Sequence, residues 1–248
     1  AACFRGRAMS FWGELYVRST EPFLTEERTT REVGYLGWAF GTLGVPGPVA
    51  DLGCGTGRHT ARVAALTRRF VFGFERDAYS VQKMRPNVCA VRADLLALPL
   101  AEGSLAGAYA WYSTLFNFEK EETLLILRAL RPALKDGALL VLHTVPLSLR
   151  LKSPEEVFEC GLPEGVHLSD VAQFDVAGGR DQIQRTLTLP DGRVLSGGFV
   201  LRVYSEEELR DLLDLAGYTV RWVHGGTDRS PLNDDSTDLI VGAEVRHG

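Results

Sequence analysis

Val49-Ala50-Asp51-Leu52-Gly53-Cys54-Gly55-Thr56-Gly57-Arg58-His59-Thr60 is the stretch on which the fold turns. It reads as a short apolar strand, an acid, a glycine-rich turn and the start of a helix. Glycines let the backbone bend tightly and let a ligand approach with no Cβ in the way. The helix start behind them offers free N–H groups. A bare G-x-G-x-G is weak; its place between a strand and a helix gives it meaning. A nicotinamide dinucleotide site asks for G-x-G-x-x-G/A. Gly53 and Gly55 supply its first two positions, but Arg58 occupies the third, which compromises the pyrophosphate seat. Asp51 would repel a pyrophosphate and suits a cationic amine better.

Working outward, Val33, Leu36, Phe40 and Leu43 share one face of a helix expected over residues 25–43. Two prolines and two glycines at 44–48 end it. Downstream, a helix is expected over 58–66, a strand over 70–74, a short helix over 78–84 and a strand over 88–91. A strand over 106–112, a helix over 121–134 and a strand over 138–145 follow. Such alternation implies an α/β fold with a doubly wound, mostly parallel sheet covered on both faces. Residues 146–204 break the rhythm. Threonine-, leucine- and valine-rich runs at 182–189 and 193–203 flank Pro190-Asp191-Gly192, a hairpin signal. An antiparallel β insertion is expected there, either roofing the pocket or forming a homodimer surface. Ser205-Glu206-Glu207-Glu208 is a capping box opening a helix that stops at Gly217. Strands over 218–224 and 238–245 complete the chain. The division expected is an N-terminal segment or lid at 1–24 and one domain at 25–248, with 146–204 as its substrate-side insertion. Residues 1–8, ahead of Met9, are expected to be extraneous to the fold.

Two acids extend the glycine turn into a site. Glu75 ends the second strand, where a carboxylate accepts hydrogen bonds from both hydroxyls of a ribose. Asp94 follows the third strand, placed to accept from the exocyclic amine of adenine with Leu95 against the ring.

Together these residues resemble the class I S-adenosylmethionine-dependent methyltransferases. VADLGCGTGRHT (49–60), GFERDAYS (73–80) and VRADLLALPL (91–100) look like the family's first three motifs, and LRALRPALKDGALLVLHT (127–144) like its later helix, turn and fifth strand. Ser113-Thr114-Leu115-Phe116-Asn117-Phe118 and Arg202-Val203-Tyr204 resemble the bacterial small-molecule branch. Leu105-Ala106 replaces the family's common Phe-Asp, and Lys135-Asp136-Gly137 its P-G-G turn. The resemblance implies a seven-stranded Rossmann-like sheet with an antiparallel last strand. It also implies S-adenosylmethionine as methyl donor, leaving S-adenosylhomocysteine after an in-line displacement. Asp51, Gly53, Cys54, Gly55 and Gly57 would serve its methionine part. Glu75 would serve ribose, Asp94 and Leu95 adenine, with Arg76 and Trp111 also in the cofactor site. The acceptor would meet Tyr112, Ser113, Asn117 and Phe118. Arg202 and Tyr204 either reach it too or anchor the hairpin. Tyr112 and His143 are the candidates for a catalytic base, though His143 reads first as a hydrogen-bonded structural histidine. Arg18 and Arg58 read first as surface arginines, with pairing to the donor carboxylate as the alternative, and Trp12 and Tyr16 belong to the lid or to the core.

The acceptor class is narrowed by what is missing. A formal charge of -5 lacks the basic surplus of a nucleic-acid binder. There is no Asn/Asp-Pro-Pro-Tyr and no Pro-Cys dipeptide. A small amine, hydroxyl or carboxyl compound is expected, with no nucleic acid, membrane or metal partner. Cys3, Cys54, Cys89 and Cys160 form no metal or redox motif, which fits reduced thiols and a cytoplasmic location. A catalytically silent donor-binding module, and a nicotinamide-dependent oxidoreductase, stand as alternatives.

Overall fold

The computed structural model describes residues 11–245, so the expectation for residues 1–8 lies outside them. The chain starts with a short helix, α1 (Glu14–Thr20), that was not read from the sequence. Thr25 then caps α2 (Glu26–Gly41) by accepting from the Arg28 N–H. The alternating portion runs β1 (Val49–Leu52), α3 (Thr60–Thr67), β2 (Val71–Glu75), α4 (Ala78–Gln82), β3 (Ala90–Arg92) and β4 (Leu105–Ala110). It continues with α5 (Lys120–Leu130) and β5 (Leu134–Thr144). The helix α5 ends earlier than residue 134 because Arg131-Pro132-Ala133 tightens into a 3-10 turn, and β5 starts at once behind it. Strand β4 stops at Ala110, short of residue 112, because Tyr112 and Ser113 turn into the left-handed region at φ 56° and 59°.

After α6 (Leu147–Lys152) come four antiparallel strands, β6 (Glu155–Leu162), β7 (Val166–Asp175), β8 (Arg180–Thr188) and β9 (Val194–Arg202). The β8–β9 hairpin was legible, but β6 and β7 were not. Six of the eight β6 residues are exposed and three are glutamates, which blunts an edge strand and hides its period. The chain closes with α7 (Glu206–Leu215), whose Ser205–Glu208 capping box forms as read, then β10 (Tyr218–His224) and β11 (Leu239–Val245).

The main sheet has seven strands in the order β10-β11-β5-β4-β1-β2-β3, and β11 runs antiparallel to both its neighbours. The strand order reverses between β1 and β4, which are paired in parallel. Doubly wound sheets open a crevice at the carboxyl ends of the strands at that point. Strands β1 and β4 are buried along their whole lengths. Alternate residues point to opposite layers: Val49 and Tyr109 meet Leu36 and Phe40 of α2, while Leu52 and Ala108 share a core with Ile126 and Leu127 of α5. The four-stranded sheet packs Leu168 and Leu187 onto Phe11 and Leu15 of the N-terminal segment. The Phe11 and Phe199 rings stack at 4.0 Å. Among the described residues no helix is long and apolar enough to cross a membrane.

Candidate active site

Strand β1 delivers the chain into three glycines of positive φ, Gly53, Gly55 and Gly57. A Cβ on Gly53 would fall 2.3 Å from Thr114 Cγ2, so only glycine lets the turn after β4 close against it. The Gly53 and Cys54 N–H groups donate to the Phe74 carbonyl at 2.8 and 3.0 Å, tying the turn to β2. That places Gly55 beside Glu75. The Gly55 N–H donates to Glu75 Oε2 at 2.9 Å and the Asp77 N–H to Oε1 at 2.7 Å. Two main-chain donors thus fix the Glu75 carboxylate at the edge of the crevice, and each oxygen keeps a lone pair for a ligand.

The crevice is a cavity of about 450 Å³, in the range of small-molecule sites. At one end stand Glu75, Arg76, Asp94 and Leu95. Asp94 accepts from the Leu96 N–H at 3.0 Å and from Arg76 at 3.2 Å. These partners hold its carboxyl below the ordinary range. Tyr112, Ser113, Asn117, Phe118 and His143 line the other end. Asp51, Cys54 and Trp111 line a side recess of about 50 Å³ that shares Gly53 and Gly55 with the cavity. Asp51 takes the Thr60 hydroxyl at 2.7 Å, yet burial still pushes its carboxyl up to about 6. Gly57 lines neither space; a Cβ there would strike Val88.

Two sequence-derived candidates lie elsewhere. Tyr204 is fully buried with its ring 5.5 Å from that of Phe116, and Arg202 donates to the Gly178 carbonyl and pairs with Glu208. Both sit where β9 returns to the main sheet, so they anchor the insertion instead of reaching the cavity. Arg18 is likewise on the surface, paired with Glu14.

His143 has the partners of the structural reading. Its Nδ1 accepts the Tyr112 N–H at 3.1 Å and its Nε2 faces Asp238 Oδ1 at 2.8 Å. The network assigns the ring proton to Nε2, because Nδ1 is an acceptor. Both nitrogens are engaged, leaving neither to take a proton from an acceptor. The His143 carbonyl also receives the Ser113 N–H at 3.0 Å. His143 therefore clamps two successive left-handed residues, a conformation that persists only where the surroundings over-determine it.

Several lining residues escaped the sequence reading. Arg28, Asp238, Arg185 and Phe199 all face the cavity. Behind them Glu32 is a buried hub: it accepts from Arg28 at 3.0 Å, from His59 at 2.9 Å and from Arg58. Burial opposes its ionisation, but His59 and Arg58 outweigh that and hold Glu32 well below the carboxylate range. Burial depresses His59 to about 4, so the ring is neutral and donates through Nε2. The spacing of Arg28 and Glu32, one helical turn apart, was the only local signal. Trp12 and Tyr16 line the cavity and also pack in the cluster around Phe11.

A family profile described as a methyltransferase domain matches residues 49–137. The O-methyltransferase cnsE of Penicillium expansum is 30% identical over 195 residues, covering 69% of this chain and 67% of that protein. Among solved structures, the CcbJ methyltransferase from Streptomyces caelestis superposes with a TM-score of 0.77 at 21% identity, covering 88% of this chain and 90% of that one. An S-adenosylmethionine-dependent methyltransferase from Clostridium acetobutylicum superposes with a TM-score of 0.76 at 12% identity, covering 94% and 97%. At these identities the structural likeness is one of fold.

Proposed function

The chain belongs to the class I S-adenosylmethionine-dependent methyltransferases, and from that premise we propose that it methylates a small molecule held in the cavity between the glycine turn and the four-stranded sheet. The observation that carries the placement is Glu75, fixed by the Gly55 and Asp77 amides at the rim of a cavity of about 450 Å³. The residues fit the donor. Leu95 offers an apolar face and Asp94 a carboxylate for adenine. Glu75 offers free lone pairs for two ribose hydroxyls. Asp51 lies below the turn where a methionine ammonium would sit, and Arg58 lines the same recess for its carboxylate.

The donor supplies a methyl group on a positive sulfur, and its transfer breaks that carbon–sulfur bond as the acceptor's heteroatom forms its own bond to carbon. What this chain contributes is orientation and exclusion of water. Tyr112 and Ser113, held by His143, follow the carboxyl end of β4 and line the acceptor end of the cavity. Trp12 and Phe199 cover the cavity from the N-terminal segment and the insertion. A charge of -5 and a cavity of about 450 Å³ support a small acceptor over a nucleic acid. Residues 11–24 act in this reading as part of the lid and 146–204 as the roof.

Calorimetry with S-adenosylmethionine, S-adenosylhomocysteine and NAD tests the donor assignment, with binding expected for the first two alone. Incubation with methyl-labelled donor and pooled small amines, phenols and acids then tests transfer. Tight donor binding with no transfer to any acceptor would favour the silent module instead.

A further inference from the structure

With both ring nitrogens of His143 engaged, the hydrogen-bonding capacity at that end of the cavity passes to its partner. His143 Nε2 donates to Asp238 Oδ1 at 2.8 Å, and the Thr237 hydroxyl donates to Oδ2 at 3.1 Å. One donor on each oxygen leaves each with a lone pair. Asp238 lines the cavity, as His143 does, and its side chain keeps 24% of its surface exposed. Burial opposes its charge, but the hydrogen bonds from His143 and Thr237, together with the field of Arg28, hold the carboxyl below the ordinary range. Arg28 acts on it without an ion pair inside 4.0 Å, its own carboxylate partner being Glu32. Asp238 is thus a carboxylate oriented in advance by neutral donors.

A second group at this end has the same polarity. Asn117 Nδ2 donates to the Ser113 and Thr114 carbonyls at 3.0 and 3.3 Å. That fixes the amide orientation, because the flipped form would set its oxygen against two carbonyls. Asn117 Oδ1 is left as a buried acceptor with no partner among the described residues. Other polar side chains on the wall are spent: the Ser113 and Thr144 hydroxyls share a bond of 3.0 Å, and Arg185 is taken up by Asp170, Ser19 and Thr20. An N–H or O–H satisfies unspent acceptors, whereas a carboxylate placed against Asp238 sets like charges together.

We propose that Asp238 is a specificity-determining residue whose carboxylate takes an N–H or O–H of the methyl acceptor and turns acids away. This rests on the reading above, which places the acceptor at the His143 end of the cavity.

The test uses the full chain with S-adenosylhomocysteine saturating, and four probes on one aromatic frame. They are 2-phenylethylamine, 2-phenylethanol, 2-phenylethyl methyl ether (which has no N–H or O–H) and 3-phenylpropanoate, with dissociation constants read by ligand-observed NMR. Wild type is expected to bind the amine and the alcohol at least about fivefold more tightly than the ether, and the acid most weakly. In Asp238→Asn the advantage of the amine over the ether is expected to shrink to within about twofold, and the acid to gain at least about fivefold. The alcohol, which accepts as well as donates, should move least. A role confined to holding His143 would weaken all four probes together and keep their ranking, which overturns the proposal. Wild type binding the acid as tightly as the amine overturns it as well, as does binding of none of the probes. If Asp238→Asn has no cooperative unfolding transition, Asp238→Ser decides by the same comparison. Titration of wild type with S-adenosylhomocysteine alone is read separately; failure there strikes the donor placement, a result distinct from all of these.

Discussion

Asp51 and Glu75 are the two acids of the proposed donor site, one buried beneath the glycine turn and one held by two amides at the cavity's rim. Burial raises Asp51 from 3.8 to about 6, so the folded protein holds a proton there that the unfolded chain has lost. The stabilising contribution of this group is complete below the unfolded value and fades as pH rises through about 6, by on the order of 2–3 kcal/mol. A donor ammonium beside Asp51 favours the ionised form. Affinity for S-adenosylhomocysteine is therefore expected to rise between about pH 5 and 7, with proton release on binding near the middle of that window. Calorimetry in buffers of different ionisation enthalpy measures that release, and Asp51→Asn should abolish it. Glu75 has its carboxylate fixed by two amides before any ligand arrives. Glu75→Ala is expected to weaken S-adenosylhomocysteine by about 1.5–3 kcal/mol, since two hydroxyls lose a charged acceptor; an unchanged dissociation constant would remove Glu75 from the site.

At the scale of elements, the site is the meeting of two turns. The first follows β1 and is left-handed at Gly53; the second follows β4 and is left-handed at Tyr112 and Ser113. They touch where Gly53 faces Thr114. Gly53→Ala combines an unfavourable φ of 70° with a Cβ 2.3 Å from Thr114 Cγ2. It is expected to lower stability by about 1–3 kcal/mol and to weaken donor binding. Thr114→Ser, which deletes that methyl, should recover part of the loss in the double variant but not all, because the φ strain stays. Chemical denaturation of the four proteins measures the coupling, and strictly additive effects would show that the turns do not press on each other. Helix α2 takes part in the same assembly through Glu32, which draws Arg58 and His59 toward Arg28.

Across the whole molecule, two sheets and the N-terminal segment share one cavity. The parallel sheet supplies its floor at the β1–β4 reversal, and the antiparallel sheet reaches over it with Phe199 and Leu201. Ligand bound only by the folded state stabilises it by about 2.7 kcal/mol at a hundredfold excess over the dissociation constant. For a chain of this size that corresponds to a rise in Tm of roughly 5–10 °C. Thermal unfolding is expected to show that rise with S-adenosylhomocysteine and none with NAD; equal shifts, or a shift with NAD alone, would contradict the donor assignment.

The donor half was legible in the chain because its information is local. Asp51, the glycine turn and α3 are consecutive, and Glu75 ends, and Asp94 closely follows, a strand readable in sequence. Parallel strands buried on both faces announce themselves by composition, so a doubly wound, mostly parallel sheet was readable, while its strand order came only from the structure. The acceptor half carries no such signature. Arg28 and Asp238 are 210 positions apart and of residue types common on surfaces, while Arg202 and Tyr204, which looked suited to the site, anchor β9. Strand β6 stayed hidden because an exposed edge strand keeps no apolar period. Local chain order carries the proposed place of the methyl donor; what lines the rest of the cavity was decided only when packing brought distant segments over it, since side-chain direction across such separations is a property of the assembled core.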